Sequence, residues 1–546
     1  MSLVVCGVRP ARAQVLAQKN WAGSGVTVEL WWKRAVFYRV DPTRFQDSNG
    51  DGWGDLEGLD QRLMYLQTLG VDALILRTTP EVATTATKAA AKAVALEPTA
   101  EVSSAFDTLV RDAIGRHIRV LVELGAPASQ QADAQYLEMA RAWLNQGAAG
   151  IYVPTQALEK VDGAEHIALL LQQLRSLTDG FPGERVLLAD APAVPDEEIE
   201  DALAKNAQLT ASTPLGALEN GAPPTVAGLR TAWMADLGQG SDSAVNVPQK
   251  STVVTKKVKR TVVRHGRKRV ITETVRVWSR PRSVERSAAR SGVQGVANPL
   301  LVSVRVPMMK NAAQQMAMER ALAVMMLASK SAVLLEYGQE LGLDRAGKNA
   351  PLMQWTPTNL TRKPPPPVEK PAPPPVSQYK GFLPWVKPLP RRLFPPPVMP
   401  VVEESDKPTP VDPALLPGFT AGNFDAALAA PNGATANVAV EDYPDGSLLN
   451  LYRQLIALHH DNATVRSGSM EVLNHDDQDS LVWVRRAPAS SRTSTTVVVA
   501  CNLSDRPLVL SGMGEVTVNF MRSLLQPASG DLMKVMPGMV MVGETR

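Results

Sequence analysis

Cysteine is almost missing: Cys6 and Cys501 are the two among 546 residues, so no disulfide framework is implied. Long apolar runs are missing too, since no uninterrupted stretch reaches the roughly 18 residues of a membrane span. A charge of one sign is also lacking. The chain has 57 Lys and Arg against 54 Asp and Glu, and its net charge of +3 favours no class of partner. What remains is a hydrophobic content of 45%, that of a globular chain, in a length too great for one compact core. Two or three domains are expected. The small net charge hides an asymmetry, because residues 250–291 carry fourteen Lys or Arg and two Glu and leave the rest acidic.

The first residues read MSLVVCGVRPARAQ. Ala11-Arg12-Ala13 before Gln14 has the small-x-small form of a signal-peptidase site, behind a short apolar run with no basic flank. Residues 1–14 read as a signal-peptide remnant, and export to a periplasmic or extracellular location is expected. A disordered start on a cytoplasmic protein is the alternative.

Residues 31–80 organise the chain. A strand over 35–40 leads into an acidic, glycine-studded loop over 47–55. A helix over 56–69 and a second strand over 71–76 follow, which makes a β-loop-α-β unit. The alternation continues with helices over 104–117, 131–146 and 164–177 and strands over 118–124, 150–153 and 185–189. Short apolar strands between helices of about a dozen residues are the pattern of a parallel α/β barrel.

Two stretches break that pattern. Over 251–278, Val and Thr alternate with Lys and Arg on either side of His265-Gly266, which predicts a β-hairpin with two polar faces. It reads as an insertion (250–291) into the barrel, either a solvated charged element or one attracted to an anionic surface polymer. Nucleic acid is the less favoured partner, since Trp278 is its single base-stacking residue. The stretch 357–417 holds twenty of the 43 prolines and reads as a polyproline or disordered spacer. A buried helix over 312–329 lies between the two. Beyond them come a helix over 447–459 and short alternating strands from 469 onward, read as an antiparallel β-sandwich. The domains expected are thus a barrel over 15–445, carrying both insertions, and a sandwich over 446–546.

The run WWKRAVFYRVDPTRFQDSNGDGWGDLEGL resembles the opening of the α-amylase superfamily, nearest to its oligo-1,6-glucosidase, α-glucosidase and trehalose synthase branch. Further on, EYGQELGL (336–343) is similar to the family's YYGEEIGM, APLMQW (350–355) to its RTPMQW, and GFT (418–420) to its AGFT. The resemblance implies a (β/α)8 TIM barrel with a C-terminal antiparallel β-sandwich, acting on α-glucosidic bonds.

Asp47, Asn49, Asp51 and Asp55, with the carbonyl of Trp53, offer hard oxygen ligands at alternate positions, and such a set suits Ca²⁺ or Mg²⁺. An EF-hand would need Glu at its twelfth position, which here is Gly58. The resemblance implies a structural Ca²⁺, remote from the chemistry.

Glycoside hydrolysis needs two carboxylates about the scissile bond. The family's nucleophile motif, G-F-R-x-D, aligns on Gly150-Ile151-Tyr152-Val153-Pro154, so Tyr152 takes the Arg position and Pro154 the nucleophile position. The acid motif, G-E-A, aligns on Ala189-Asp190-Ala191, with Asp190 one methylene shorter than Glu. The D-x-x-x-N-H motif aligns on 123–128 and keeps only the acid, Glu123. Residues 300–307, where a sugar-binding N-H-D would fall, have neither His nor Asp. The family's inserted domain after the third strand shrinks to 125–130. The expectation is a degraded copy, with Asp190 and Glu123 the carboxylates left at catalytic positions, that binds a glycan or partner without turning it over. An active α-glucosidase or glucanotransferase is the alternative.

Overall fold

The computed structural model describes residues 30–78, 100–125, 133–159, 163–192, 196–212, 226, 252–264, 267–279, 299–302, 311–343, 351–356, 418–420, 428–473, 479–487, 495–510, 521–525 and 534–545. The expected leader and proline-rich spacer lie outside them.

Eight parallel strands close a barrel. They are β1 (Val36–Val40), β2 (Ala73–Arg77), β3 (Arg119–Glu123), β4 (Gly150–Val153), β5 (Val186–Asp190), β6 (Leu209–Ser212), β9 (Pro299–Val302) and β10 (Ala332–Glu336). Their order round the barrel, β1-β10-β9-β6-β5-β4-β3-β2, follows the chain and closes where β1 meets β10. The period of two along each strand sorts the residues. Phe37, Ile75, Leu121, Leu188 and Leu334 fill the interior, whereas Val36, Tyr38, Leu74, Val120 and Val333 pack outward against the helices.

The remaining pair, β7 (Thr252–Arg264) and β8 (Arg267–Ser279), forms the expected hairpin and sits in sequence between β6 and β9. The sequence pattern missed β6 and β9 as strands. Each has four residues, LTAS and PLLV, too few to show alternation.

The helix expected as one piece over 56–69 is two. Leu56–Gln61 ends in a tight turn at Arg62, whose N–H bonds the carbonyls of Leu59 and Asp60, and Leu63–Leu69 resumes directly after it. Gly70 closes the second piece in the left-handed region at φ 95°. Between β3 and the following helix, Asp133–Asn145, the chain leaves room for no domain.

Ser447 caps the helix Leu448–Asp461 by accepting a hydrogen bond from Asn450 N at 3.1 Å. This helix packs against the barrel helices Ala312–Leu327 and Leu63–Leu69 and leads into the C-terminal strands. Those are β11 (Ser469–Val472), β12 (Ser480–Arg486), β13 (Thr496–Asn502), β14 (Leu508–Val509), β15 (Met521–Ser523), β16 (Lys534–Val535) and β17 (Val540–Thr545). They form an antiparallel sheet, β11-β12-β13-β17-β15, and a small β14-β16 pair. Val482, Val484, Val498 and Ala500 meet Leu508 and Val535 to make the sandwich core. Their strand neighbours Leu481, Trp483, Val497, Val499 and Cys501 turn the other way and join the main core. Among the described residues no helix is long and apolar enough to cross a membrane.

Candidate functional site

The interior parity of the barrel runs on to the C-terminal ends of its strands. Arg39 follows Phe37, Arg77 follows Ile75, Glu123 follows Leu121, Tyr152 follows Gly150, Asp190 follows Leu188 and Glu336 follows Leu334. Polar groups from six strands therefore cap the apolar interior at the end where barrel active sites form. Gly150 lets β4 close on β5, for a Cβ there would lie 2.2 Å from Val186 O.

Arg39 is the hub. Its Nε donates to Glu123 Oε2 at 2.5 Å and its Nη2 to Glu123 Oε1, a two-pronged pair. Arg39 Nη1 donates to Glu336 Oε1 at 3.2 Å, and Arg77 Nε lies 3.6 Å from Glu123 Oε2. The Arg39 guanidinium also stands over the Tyr152 ring, 5.1 Å from its centroid. The Tyr152 hydroxyl in turn donates to Asp190 Oδ1. Burial opposes the Arg39 charge, yet Glu123 and Glu336 hold its pKa well above the ordinary arginine value.

Asp190 behaves differently. Burial, with a push from Glu123, raises its pKa to about 6, against the pull of Arg39 and the Tyr152 hydroxyl. Burial and then Asp190 raise Tyr152 well above the ordinary phenol value, so its proton stays on. Glu123 and Asp190 are thus joined through Arg39 and Tyr152. Pro154 stands apart from the chemistry: it follows β4 at φ −78° and starts the short helix Thr155–Leu158, where Leu158 N donates to Pro154 O at 3.2 Å. In chemical terms the mouth holds three carboxylates: Glu123 with both oxygens occupied by arginine, Glu336 with one oxygen on Arg39, and Asp190, protonatable near neutrality; residue 154 has no side-chain nucleophile.

Sequence reasoning named Glu123, Asp190, Tyr152 and Pro154 but missed Arg39 and Arg77, and took Glu336 only as part of a motif. A signal existed: each is the charged residue near the C-terminal end of an otherwise apolar strand.

The candidate metal loop lies elsewhere, after the turn Pro42–Phe45. Its side chains are tied to its own backbone. Asn49 N donates to Asp47 Oδ1 at 3.0 Å, Asp51 N to Asn49 Oδ1 at 2.9 Å, and Trp53 N to Asp51 Oδ1 at 2.8 Å. Asp47 Oδ2 accepts from Gly52 N at 2.8 Å, and Gly52 reaches that position at φ 90°. Asp55 Oδ1 caps the next helix, accepting from Gly58 N at 2.6 Å. Gly58 is obligatory, since a Cβ there would lie 2.0 Å from Gln46 O. Among the described residues no three His, Cys, Asp or Glu side chains gather about one point. The loop's donor set is nonetheless entirely hard oxygen, the chemistry that suits Ca²⁺ or Mg²⁺.

Two other motifs of the resemblance, GFT and APLMQW, reach the corner that holds this loop. Thr420 Oγ1 donates to Asp47 Oδ2, and Asp47 N to Phe419 O at 2.9 Å. Trp355 Nε1 donates to Phe45 O at 3.0 Å, and its ring packs edge-on to Phe45 at 5.2 Å beneath the Arg62 guanidinium at 4.1 Å. These two motifs therefore build a scaffold corner rather than the mouth.

A closed (β/α)8 barrel with a polar mouth and a C-terminal sandwich defines the class of protein. Within that class, residues 39–89 match the family model described as alpha amylase, catalytic domain. Over those residues the chain is similar to the catalytic domain of the α-amylase family. The alpha-glucosidase MAL32 of Saccharomyces cerevisiae is 54% identical over 48 residues, 9% of this chain and 8% of that one. The trehalose-6-phosphate hydrolase of Escherichia coli is 39% identical over 97 residues, 17% of each chain. The chain thus matches less than a fifth of the length of these curated relatives. Among solved structures, trehalulose synthase MutB from Pseudomonas mesoacidophila MX-45 is similar, with a TM-score of 0.56 at 14% identity. That match covers 95% of this chain and 100% of the other. At this identity the likeness shows the fold alone.

Proposed function

We propose that this chain is a non-catalytic member of the α-amylase family that binds a glycan of the α-glucan or α-glucoside type, or a protein partner, at the barrel mouth. The observation that carries the reading is the two-pronged bond from Arg39 to Glu123. A carboxylate with both oxygens in a charge-assisted pair is a poor base and a poor nucleophile, because attack would first have to break that pair. Proline at 154 supplies no replacement. Asp190 is partly protonated near neutrality, and the other two carboxylates of the mouth, Glu123 and Glu336, are both engaged by Arg39, which opposes their capturing or stabilising an oxocarbenium-like centre.

The raised pKa of Asp190 favours a second reading, in which it acts as general acid of an α-glucosidase or glucanotransferase with a partner from an unaligned position. One comparison separates the two. Purified protein and Asp190→Ala are assayed on maltose, isomaltose, trehalose and nitrophenyl-α-glucoside, and their melting is followed with and without each sugar. Sugar-induced stabilisation with background rates in both proteins supports the binding role. Robust wild-type turnover that disappears in Asp190→Ala overturns it.

The oxygen donors Asp47, Asn49, Asp51, Asp55 and the Trp53 carbonyl support a Ca²⁺ site, with Mg²⁺ as the alternative ion. Bound there, the ion would neutralise three carboxylates and tie the loop to the corner built by Phe419 and Thr420. It has no part in chemistry at the mouth.

A further inference from the structure

The helix Leu448–Asp461, through which the chain passes into the C-terminal strands, carries two adjacent histidines in its last turn, His459 and His460. His459 is fully buried. Its Nδ1 lies 3.0 Å from Leu327 O, at the end of the barrel helix Ala312–Leu327. Its Nε2 lies 3.0 Å from Arg34 O, at the end of the turn Trp31–Arg34. Both partners are acceptors, and a neutral imidazole has one N–H, so one contact is a hydrogen bond and the other a close approach. Burial, and then the charge on His460, push the His459 pKa down to about 4. Around neutral pH His459 is therefore an uncharged pivot.

His460 is placed differently. Its ring is about a third exposed, and its Nε2 lies 2.8 Å from Asp72 Oδ2. Asp72 is fixed to the barrel floor by its backbone, since its N donates to Val36 O at 3.0 Å and its O accepts from Arg119 N at 2.9 Å. Asp72 Oδ2 also accepts from Val36 N at 2.7 Å, so the oxygen that meets His460 caps the start of β1. Burial opposes a charge on His460. The bond to Asp72 and the charges of Asp72 and Asp461 outweigh burial, against a smaller push from Arg466, and the pKa rises above the ordinary 6.5. The last turn of a helix favours a cation as well. The surrounding elements bring few other charges. Leu63–Leu69 has none, and Ala312–Leu327 has Glu319 and Arg320 in its middle, with Lys330 beyond its end. The turn Trp31–Arg34 ends in Lys33, which stands over the Trp32 ring, and Arg34. Arg119 of β3 lies by Asp72 and Glu184.

We propose that His460 and Asp72 form a proton-operated clasp between the C-terminal helix and the barrel floor, tight while His460 is charged and loose when it is neutral. The charged form makes a charge-assisted bond to a carboxylate held rigidly by two strands. The neutral form keeps at most an ordinary hydrogen bond, about half as strong. The sign follows from the raised value: the contribution of His460 is complete below 6.5 and is lost as pH rises through the folded value. His459 does not compensate, because it stays neutral over that window and adds one bond at every pH. Loosening His460 therefore frees the last turn of Leu448–Asp461 and the short helix Ala463–Ser467 that follows it, ahead of β11. The device is a local opening at the junction of barrel and sandwich, not unfolding of either. This inference is independent of the reading of the barrel mouth.

The test is hydrogen exchange of the full chain, read over Leu448–Asp461 and Ala463–Ser467 between about pH 6 and 9 and corrected for the intrinsic pH dependence of exchange. The helix Ala164–Asp179, remote in the fold from the clasp, is the reference for general loosening. In the wild type the open population at the junction is expected to rise about two- to fivefold over that range, the effect of a partly exposed ion pair. His460→Gln donates a hydrogen bond but carries no charge at any pH. It is expected to show the wild-type alkaline level throughout, with a flat profile. His460→Arg is charged at every pH and is expected to hold the wild-type acid level throughout. A bond with only a structural role would shift exchange equally at all pH values, so the slope is what identifies the clasp. A wild-type profile no steeper than that of His460→Gln overturns the proposal, and so does a His460→Arg profile that still rises with pH. If His460→Arg does not fold, the comparison of wild type with His460→Gln decides alone.

Discussion

Arg39 of the first barrel strand and Glu123 of the third are locked together across the barrel mouth, with Arg39 Nε donating to Glu123 Oε2 at 2.5 Å. Both side chains are largely withdrawn from solvent, at 13% and 11% exposure. Removing one partner of such a pair leaves the other buried and uncompensated, whereas removing both does not. Arg39→Ala is therefore expected to cost about 3–5 kcal/mol in urea unfolding. The double variant Arg39→Met with Glu123→Met should recover most of that loss. Equal losses in the single and double variants would show that the pair is not what holds the mouth.

Asp190 makes stability at the mouth depend on pH. Its ordinary value is 3.8, and the folded value is raised to about 6. A raised carboxyl favours the protonated form, so its contribution is complete below 3.8 and is lost as pH rises through about 6. Asp190→Asn keeps an acceptor for Tyr152 and removes the ionisation. Relative to wild type it is expected to gain stability between about pH 4 and 7, by no more than roughly 3 kcal/mol. Unfolding curves at a series of pH values give the difference directly, and a constant offset would refute it.

Glu340 is fully buried, and one of its oxygens serves two phenols. Tyr38 OH donates to Oε1 at 2.8 Å and Tyr65 OH at 2.6 Å. Burial raises the Glu340 pKa, and both hydroxyls pull it back down. Tyr38→Phe and Tyr65→Phe are each expected to destabilise by about 1–2 kcal/mol. Because they share one acceptor atom, the double-mutant cycle should show a coupling above about 0.5 kcal/mol. Strict additivity would mean that the two bonds act independently.

The loop over 47–55 is expected to melt earlier in chelator than in Ca²⁺, since an ion bound only by the folded state must stabilise it. Asp51→Ala should remove that sensitivity. Identical melting of the wild type in both buffers would mean that the loop's own hydrogen bonds, such as Asn49 N to Asp47 Oδ1 at 3.0 Å, suffice without an ion.

Local pattern was enough for much of this molecule. Alternation in VFYRV, ALILR and RVLVE marks buried strands, and the loop's glycines and acids lie within nine consecutive residues. The β-hairpin about His265-Gly266 was equally plain, because its pairing partners are neighbours in sequence. The alignment of Pro154 on the nucleophile position was likewise a reading of the sequence alone. Tertiary structure decided the rest. LTAS and PLLV become strands only because a closing barrel supplies hydrogen-bond partners on both sides. Arg62 breaks a helix that reads as continuous. The pairing of Arg39 with Glu123 and Glu336 spans 84 and 297 residues, and nothing local links them. Closure of the sheet brings those strand ends into one ring, and the low-polarity interior beneath it makes each buried charge find a partner there.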